Sequence, residues 1–131
     1  KRDWGHAKDF VEMQWLMLQQ DKPDDYVIST GQQYTVRQFI MEVAKYLQIQ
    51  IEWKGAGLNE RGFNKDGQVI IEVDPRYFRP TEVDELLGDS SKANKKLGWT
   101  QKISFDDLVK NMVDNDLKIA KQEMLLKGSK L

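Results

Sequence analysis

Two arginines stand in settings that suit the binding of an anion. Arg2 precedes an acidic residue and a tryptophan, and Arg79 lies between a phenylalanine and a proline, with Glu82 three residues further on. A guanidinium group presents a planar fork of N–H donors that can grip a diphosphate, and a nearby carboxylate can accept a hydrogen bond from a ribose hydroxyl or a base N–H. Ordinary ion pairs between each arginine and a neighbouring carboxylate are the alternative. The spacing alone leaves both interpretations open.

The common catalytic constellations are missing from the sequence. It contains one histidine, His6, and no cysteine, which excludes thiol nucleophiles, disulfides and thiolate metal sites. None of the four tyrosines has a lysine four positions later, as short-chain dehydrogenase chemistry requires. Gly55 and Gly57 begin like a dinucleotide-binding loop, but Glu60 stands where the third glycine should be and no capped apolar helix follows. We therefore predict no catalytic residue, cofactor site or metal site in this chain.

The composition is that of an ordinary globular domain. The chain has 131 residues, of which 40% are hydrophobic and 31% are charged, and its net charge is −1. Because the charge is balanced, we expect no nucleic-acid partner. No apolar run approaches the roughly 20 residues of a membrane helix, and the absence of cysteine fits a cytoplasmic location. The chain begins at Lys1 rather than at a methionine, and we expect it to be part of a longer protein.

The hydrophobic pattern predicts a mixed α/β fold. The expected helices cover residues 6–20, 35–47, 91–97 and a last segment capped by Ser104 and Asp107; the expected strands cover 26–30, 49–53 and 69–73, and 54–68 is expected to be an exposed loop. Gly98 should end the third helix. The buried stripe of the last helix is expected to contain Leu108, Met112, Val113, Leu117 and Ala120.

The first predicted helix is apolar on nearly every face. Such a helix should be covered on most sides by other parts of the protein. If this chain exists alone, we expect an apolar patch to remain exposed there and to be filled by self-association.

Seven stretches of the sequence resemble nucleotide-sugar epimerases and dehydratases, which are extended short-chain dehydrogenases/reductases, and most specifically the GDP-mannose 4,6-dehydratase family. The resemblance covers essentially the whole chain. Its motifs are residues 2–11 (RDWGHAKDFV), 13–19 (MQWLMLQ), 26–31 (YVISTG), 34–39 (YTVRQF), 73–83 (VDPRYFRPTEV), 87–89 (LGD) and 96–99 (KLGW).

The resemblance implies that residues 1–131 form the C-terminal, nucleotide-sugar-binding lobe of an NADP-dependent Rossmann-fold lyase, with some elements packed on the Rossmann sheet. Such enzymes convert GDP-mannose to GDP-4-keto-6-deoxymannose by transient oxidation of C4 by NADP. The Tyr–Lys pair and the cofactor loop belong to an N-terminal Rossmann domain that is absent from this chain, so we expect the chain alone to be inactive. Family members form homodimers or homotetramers.

The resemblance also assigns roles to Arg2, Arg79 and Glu82. Arg2 matches the arginine of the Arg-Asp-aromatic motif and Arg79 that of the Arg-Pro-x-Glu motif, and both are expected to contact the GDP diphosphate. Glu82 is expected near the nucleoside. The loop at 55–68 is shorter than in some members, which puts its contacts in doubt. A non-catalytic nucleotide-sugar-binding or regulatory module, or part of a related epimerase, are the alternatives.

Overall fold

The computed structural model describes residues 1–79 and 85–128, and the predicted mixed α/β class is confirmed. The chain divides into two compact units, Lys1–Val36 with Glu85–Leu131 and Arg37–Asp84. The helices are α1 (Ala7–Leu18), α2 (Val36–Tyr46), α3 (Ser91–Leu97) and α4 (Phe105–Gly128); the strands are β1 (Glu52–Lys54), β2 (Arg61–Phe63) and β3 (Val69–Glu72); short 3₁₀ turns cover Gly57–Asn59 and Pro75–Tyr77. Packing on a Rossmann sheet stays a prediction.

The core of the first unit lies between α1 and α3. Met13, Ala93 and Trp99 are almost fully buried and contact one another. The indole Nε1 of Trp99 donates a hydrogen bond to the backbone oxygen of Asp9 at 2.9 Å, so the polar atom of this large side chain is satisfied inside the core. Partly buried side chains surround the cluster: Phe10, Leu16, Met17, Tyr26, Ile28 and Leu97.

Asp9 is a buried carboxylate with a structural role. Its Oδ2 accepts hydrogen bonds from the backbone N–H groups of Ile103 at 2.9 Å and Lys102 at 3.2 Å. A buried charge is tolerated when hydrogen bonds replace its lost hydration. Asp9 therefore ties α1 to the segment that leads into α4.

The predicted ends of the last two helices are confirmed. Gly98 follows α3 with φ at 65°, in the left-handed region that favours glycine. The Ser104 hydroxyl accepts a hydrogen bond from the Asp107 backbone N–H at 3.1 Å, which caps the start of α4.

The buried stripe of α4 agrees with the prediction only in part. Val113 is buried as predicted, together with Phe105 and Val109. Leu108 is partly buried, and Met112, Leu117 and Ala120 are exposed. Phe105 stacks on Tyr34 with ring centroids 3.8 Å apart, and the positions four and eight residues later face inward with it. The buried face of the helix therefore carries Phe105, Val109 and Val113, of which the periodicity identified only Val113.

The prediction of a strand at residues 26–30 was wrong, and the prediction of an exposed loop at 54–68 was wrong in part. Residues 26–30 are not a strand, because the N–H groups at their end bond to a side-chain carboxylate instead of a neighbouring strand. In the second unit, β2 lies within the predicted loop 54–68 and is the central strand of the antiparallel sheet β1-β2-β3. The strand was missed because it contains Gly62, which close packing requires. A Cβ at this position would lie 3.0 Å from Ile51 Cγ2 and 3.3 Å from Ile71 Cβ. A glycine needed for this close packing resembles a loop signal in the sequence.

Helix α1 packs one face against the described residues and leaves another face exposed. Asp9 and Met13 are its buried residues, whereas Val11, Trp15 and Leu18 are at least 58% exposed. The expected apolar patch is therefore present, and self-association through it stays a prediction. Among the described helices, none combines the length and apolar character needed to cross a membrane.

Asp24 forms an ion-pair cluster with α3 that should depend on pH. Its carboxylate accepts hydrogen bonds from Lys92 at 2.6 Å and from Lys96 at 2.9 Å, and these bonds hold the pKa of Asp24 well below its ordinary value. Because the pKa is lower in the folded than in the unfolded chain, the stabilisation is present above about pH 4 and is lost as the pH falls further.

We therefore expect Asp24→Asn to lower the free energy of unfolding at neutral pH, and the difference from the unaltered protein to shrink progressively below about pH 4. Urea unfolding at a series of pH values measures the loss of unfolding free energy at neutral pH and its change with pH. A difference that stays constant through the acid range would contradict the assignment.

Candidate functional site

Arg2 is held by backbone hydrogen bonds to Tyr34. Its N–H donates to the Tyr34 carbonyl oxygen and its carbonyl oxygen accepts from the Tyr34 N–H, both at 2.9 Å. The side-chain Nη1 donates to the Lys1 carbonyl oxygen at 2.8 Å. The backbone pair fixes the position from which the guanidinium group extends.

The carboxylate of Asp3 holds the loop at residues 30–31. Oδ1 accepts from the Thr30 hydroxyl at 2.5 Å and from the Thr30 N–H at 3.0 Å, and Oδ2 accepts from the Gly31 N–H at 2.9 Å. Gly31 has φ at 74°, a conformation that other residues rarely adopt. The local sequence therefore supplies a glycine where the loop must turn toward the carboxylate.

Aromatic rings also contact this segment. Trp4 stacks on Phe105 with centroids 6.1 Å apart, and Phe105 stacks on Tyr34. Three consecutive residues, Arg2, Asp3 and Trp4, are thus each anchored: one by its backbone, one by its carboxylate and one by its ring.

A cavity of about 320 Å³ lies beside this anchored segment. It combines one cationic group, the Arg2 guanidinium, with walls that are mainly apolar. Its lining residues are Arg2, Asp3, Phe10, Ile28, Ser29, Leu86, Leu87 and Gly88. A cationic fork at an apolar cavity can hold an anionic group that is attached to a less polar body.

Ser29 and Gly88 pack closely in the wall of the cavity. The Ser29 hydroxyl is buried and has no hydrogen-bond partner within the described part of the chain. A Cβ at Gly88 would lie 2.4 Å from Ser29 Cβ and 2.8 Å from its Oγ. The two backbones approach this closely only because residue 88 has no side chain.

We expect Gly88→Ala to lower the free energy of unfolding by about 1–3 kcal/mol, since the added methyl group must push the two segments apart. Chemical denaturation measures the change. Gly128→Ala is the matched control, because a Cβ there would meet nothing within 4 Å. Equal stability of the Gly88→Ala variant and the control would contradict the close packing.

Of the other two predicted binding residues, the structure describes Arg79, which is not among the residues that line this cavity. Arg79 belongs to the second unit, is exposed, and follows the 3₁₀ turn Pro75–Tyr77. Glu82 lies outside the described residues. Arg76, three residues before Arg79 in the sequence, forms hydrogen bonds with Asp74, the shortest at 2.6 Å, and these bonds lower the pKa of Asp74. Arg76 is thus engaged in holding the turn.

The single histidine and the partial glycine motif have structural roles. His6 Nδ1 accepts a hydrogen bond from the Lys8 N–H at 3.1 Å and caps α1. The Gly55–Gly57 segment connects β1 to β2 through a three-residue 3₁₀ turn, so it does not lead from a strand into a phosphate-binding helix. Within residues 1–79 and 85–128, no group of three or more His, Asp or Glu side chains is arranged to hold a metal ion.

Sequence reasoning found Arg2 but missed most of the residues around it. Ser29, Leu86, Leu87 and Gly88 line the cavity only because two distant segments pack together. Ser29, Leu87 and Gly88 belong to motifs that carried the family resemblance, and this was the available signal.

Comparisons with known proteins agree on one family. A family model described as GDP-mannose 4,6 dehydratase matches residues 1–112. The chain is 52% identical to a GDP-mannose 4,6-dehydratase of Vibrio cholerae over 96% of the chain, 51% identical to one of Dictyostelium discoideum over 92%, and 49% identical to one of Homo sapiens over 91%. It spans 37%, 34% and 32% of the length of these relatives, respectively. On this match, the chain belongs to the GDP-mannose 4,6-dehydratase family.

Proposed function

We propose that this chain is the nucleotide-sugar-binding part of a lyase that converts GDP-mannose to GDP-4-keto-6-deoxymannose. Arg2 and Arg79 each bind the diphosphate, and Glu82 binds the nucleoside. The observation that carries the proposal is the Arg2 guanidinium at a mainly apolar cavity, on a segment that is anchored at three successive residues. The relatives named above are GDP-mannose 4,6-dehydratases, which supports the choice of ligand.

The arrangement of Arg2 favours binding of a diphosphate. Charge-assisted hydrogen bonds from a guanidinium fork are about twice as strong as neutral ones, and they are strongest where water is partly excluded. Because the segment is already anchored, little conformational freedom is lost when the ligand binds. A cavity of about 320 Å³ suits one part of a nucleotide sugar, so further contacts must come from elsewhere in the protein.

The described residues do not fit a dinucleotide cofactor. They contain no glycine-rich turn from a strand into a helix, and the segment at Gly55–Gly57 leads into a 3₁₀ turn. The proposed reaction also needs a redox cofactor, which we propose is NADP. We assign neither its binding nor any chemical step to this chain, whose proposed role is to bind and orient the nucleotide sugar.

The full-length gene product that contains this sequence provides the test. Incubated with NADP and GDP-mannose, it should form a product that has lost one water and carries a keto group, detectable by mass spectrometry and NMR. GDP should bind more tightly than UDP in calorimetric titration. Preference for UDP would instead favour the related epimerases, and the absence of both turnover and nucleotide binding would overturn the proposal.

The proposal also includes a homo-oligomeric enzyme in the cytoplasm. Val11, Trp15 and Leu18 form an exposed apolar stripe on α1 that a protein surface would cover, which is compatible with assembly. The absence of cysteine is compatible with a reducing compartment. Light scattering of the full-length product measures its oligomeric state, and cell fractionation measures its location.

A further inference from the structure

Asp3 lies between the cationic group of the cavity and the loop that forms part of the cavity wall. Arg2 precedes it in the chain, and its carboxylate contacts Thr30 and Gly31. Ser29, the residue before Thr30, lines the cavity together with Arg2. The Asp3 carboxylate therefore connects two parts of the wall that are 27 residues apart in sequence.

The bonds of Asp3 are of a kind that restrains geometry. One carboxylate accepts from three donors on two consecutive residues, at 2.5 to 3.0 Å. All three bonds are charge-assisted, and those from Thr30 are partly buried, which makes them stronger than bonds at an open surface. Thr30 Oγ1 also accepts from the Gln32 N–H at 3.1 Å, so the loop itself is internally fixed.

The backbone of Arg2 is restrained from the same loop. Tyr34, three residues after Gly31, makes two backbone hydrogen bonds with Arg2. Two contacts thus join residues 2–3 to residues 30–34. One is the backbone pair of Arg2 with Tyr34, and the other is the Asp3 carboxylate with Thr30 and Gly31. Loss of the carboxylate would remove one of the contacts that hold Arg2 against the loop.

We propose that Asp3 is a positioning residue that orients Arg2 toward the diphosphate of the ligand. This inference rests on the proposed function, because it requires that Arg2 bind a diphosphate. Asparagine in place of Asp3 would keep one acceptor, but its amide N–H₂ would face a backbone N–H donor, so the set of three bonds could not form. Arg2 would remain present but would be less well oriented.

A double-mutant cycle on the full-length gene product separates positioning from general stabilisation. Calorimetric titration with GDP is performed on the unaltered protein, Arg2→Met, Asp3→Asn and the double variant. We expect Asp3→Asn to weaken GDP binding roughly tenfold when Arg2 is present, and less than about twofold when residue 2 is methionine. Urea unfolding identifies the folded variants.

Two further variants complete the experiment. Thr30→Val keeps the shape of the side chain and the Asp3 carboxylate but removes one donor, and it should weaken GDP binding a few-fold only when Arg2 is present. Asp9→Asn is the matched control, since Asp9 also accepts from two backbone N–H groups but does not line the cavity. It should lower stability and leave GDP binding of the folded protein unchanged.

The outcomes distinguish the two claims. If Arg2→Met weakens GDP binding but Asp3→Asn and Thr30→Val do not, the inference about Asp3 fails and the proposed function stands. If Asp3→Asn weakens binding by the same factor in both backgrounds, Asp3 only supports the fold and the inference also fails. If Arg2→Met leaves GDP binding unchanged, the proposed role of Arg2 fails and the inference about Asp3 falls with it.

Discussion

Replacement of Trp99 by alanine is expected to lower the free energy of unfolding by about 3–5 kcal/mol. Trp99 is 3% exposed and packs against Met13 and Ala93 at the centre of the first unit. The substitution removes the largest side chain of that cluster and leaves a cavity that these neighbours cannot fill. It also leaves the backbone oxygen of Asp9 without the indole donor.

Trp15 offers a matched control for this prediction. It is the same residue type on α1, but it is 58% exposed. Trp15→Ala should change the free energy of unfolding by less than about 1 kcal/mol, because most of its surface is already in contact with water. Denaturant unfolding of both variants gives the comparison, and similar losses for the two tryptophans would contradict the described core.

Replacement of Arg2 by methionine is expected to weaken GDP binding by roughly 10- to 100-fold. Methionine keeps much of the length of the side chain but removes its charge and its N–H donors, and the proposed charge-assisted bonds to the diphosphate are lost. Arg2→Lys should give an intermediate loss, since an ammonium group keeps the charge but cannot form the paired bonds of the fork. Calorimetric titration of the full-length gene product measures both.

Arg37 is the control for this substitution. Its guanidinium lies over the Trp53 ring at 4.8 Å and pairs with Glu60, so its contacts in the second unit are already defined. Arg37→Met should lower stability through the loss of those contacts and leave GDP affinity close to that of the unaltered protein. A loss of GDP affinity as large as that of Arg2→Met would show that the effect is general to arginine removal.

Local signals predicted the helices of this chain well. The Ser104 cap and the glycine at position 98 act on neighbouring backbone groups, so their effect can be derived from a few consecutive residues. Strand β2 could not be predicted in this way. Gly62 belongs in a strand because Ile51 and Ile71 pack against it, and that contact exists only in the folded sheet.

The same distinction between local signals and contacts formed only on folding applies to the candidate site. The chemistry of Arg2 could be derived from its residue type, and the resemblance gave it a ligand. The role of Asp3 could not, because its partners Thr30 and Gly31 are distant in sequence. The cavity wall at Ser29 and Gly88 likewise depends on two segments that meet only after folding.

A crystal structure of the full-length gene product with bound GDP tests most directly the central claim that Arg2 binds the diphosphate. The predicted result is a phosphate oxygen within about 3 Å of an Arg2 guanidinium nitrogen, with the Asp3 carboxylate still bonded to Thr30 and Gly31. The proposed role of Arg2 would be contradicted if GDP were well ordered in the protein and no phosphate oxygen lay within hydrogen-bonding distance of Arg2.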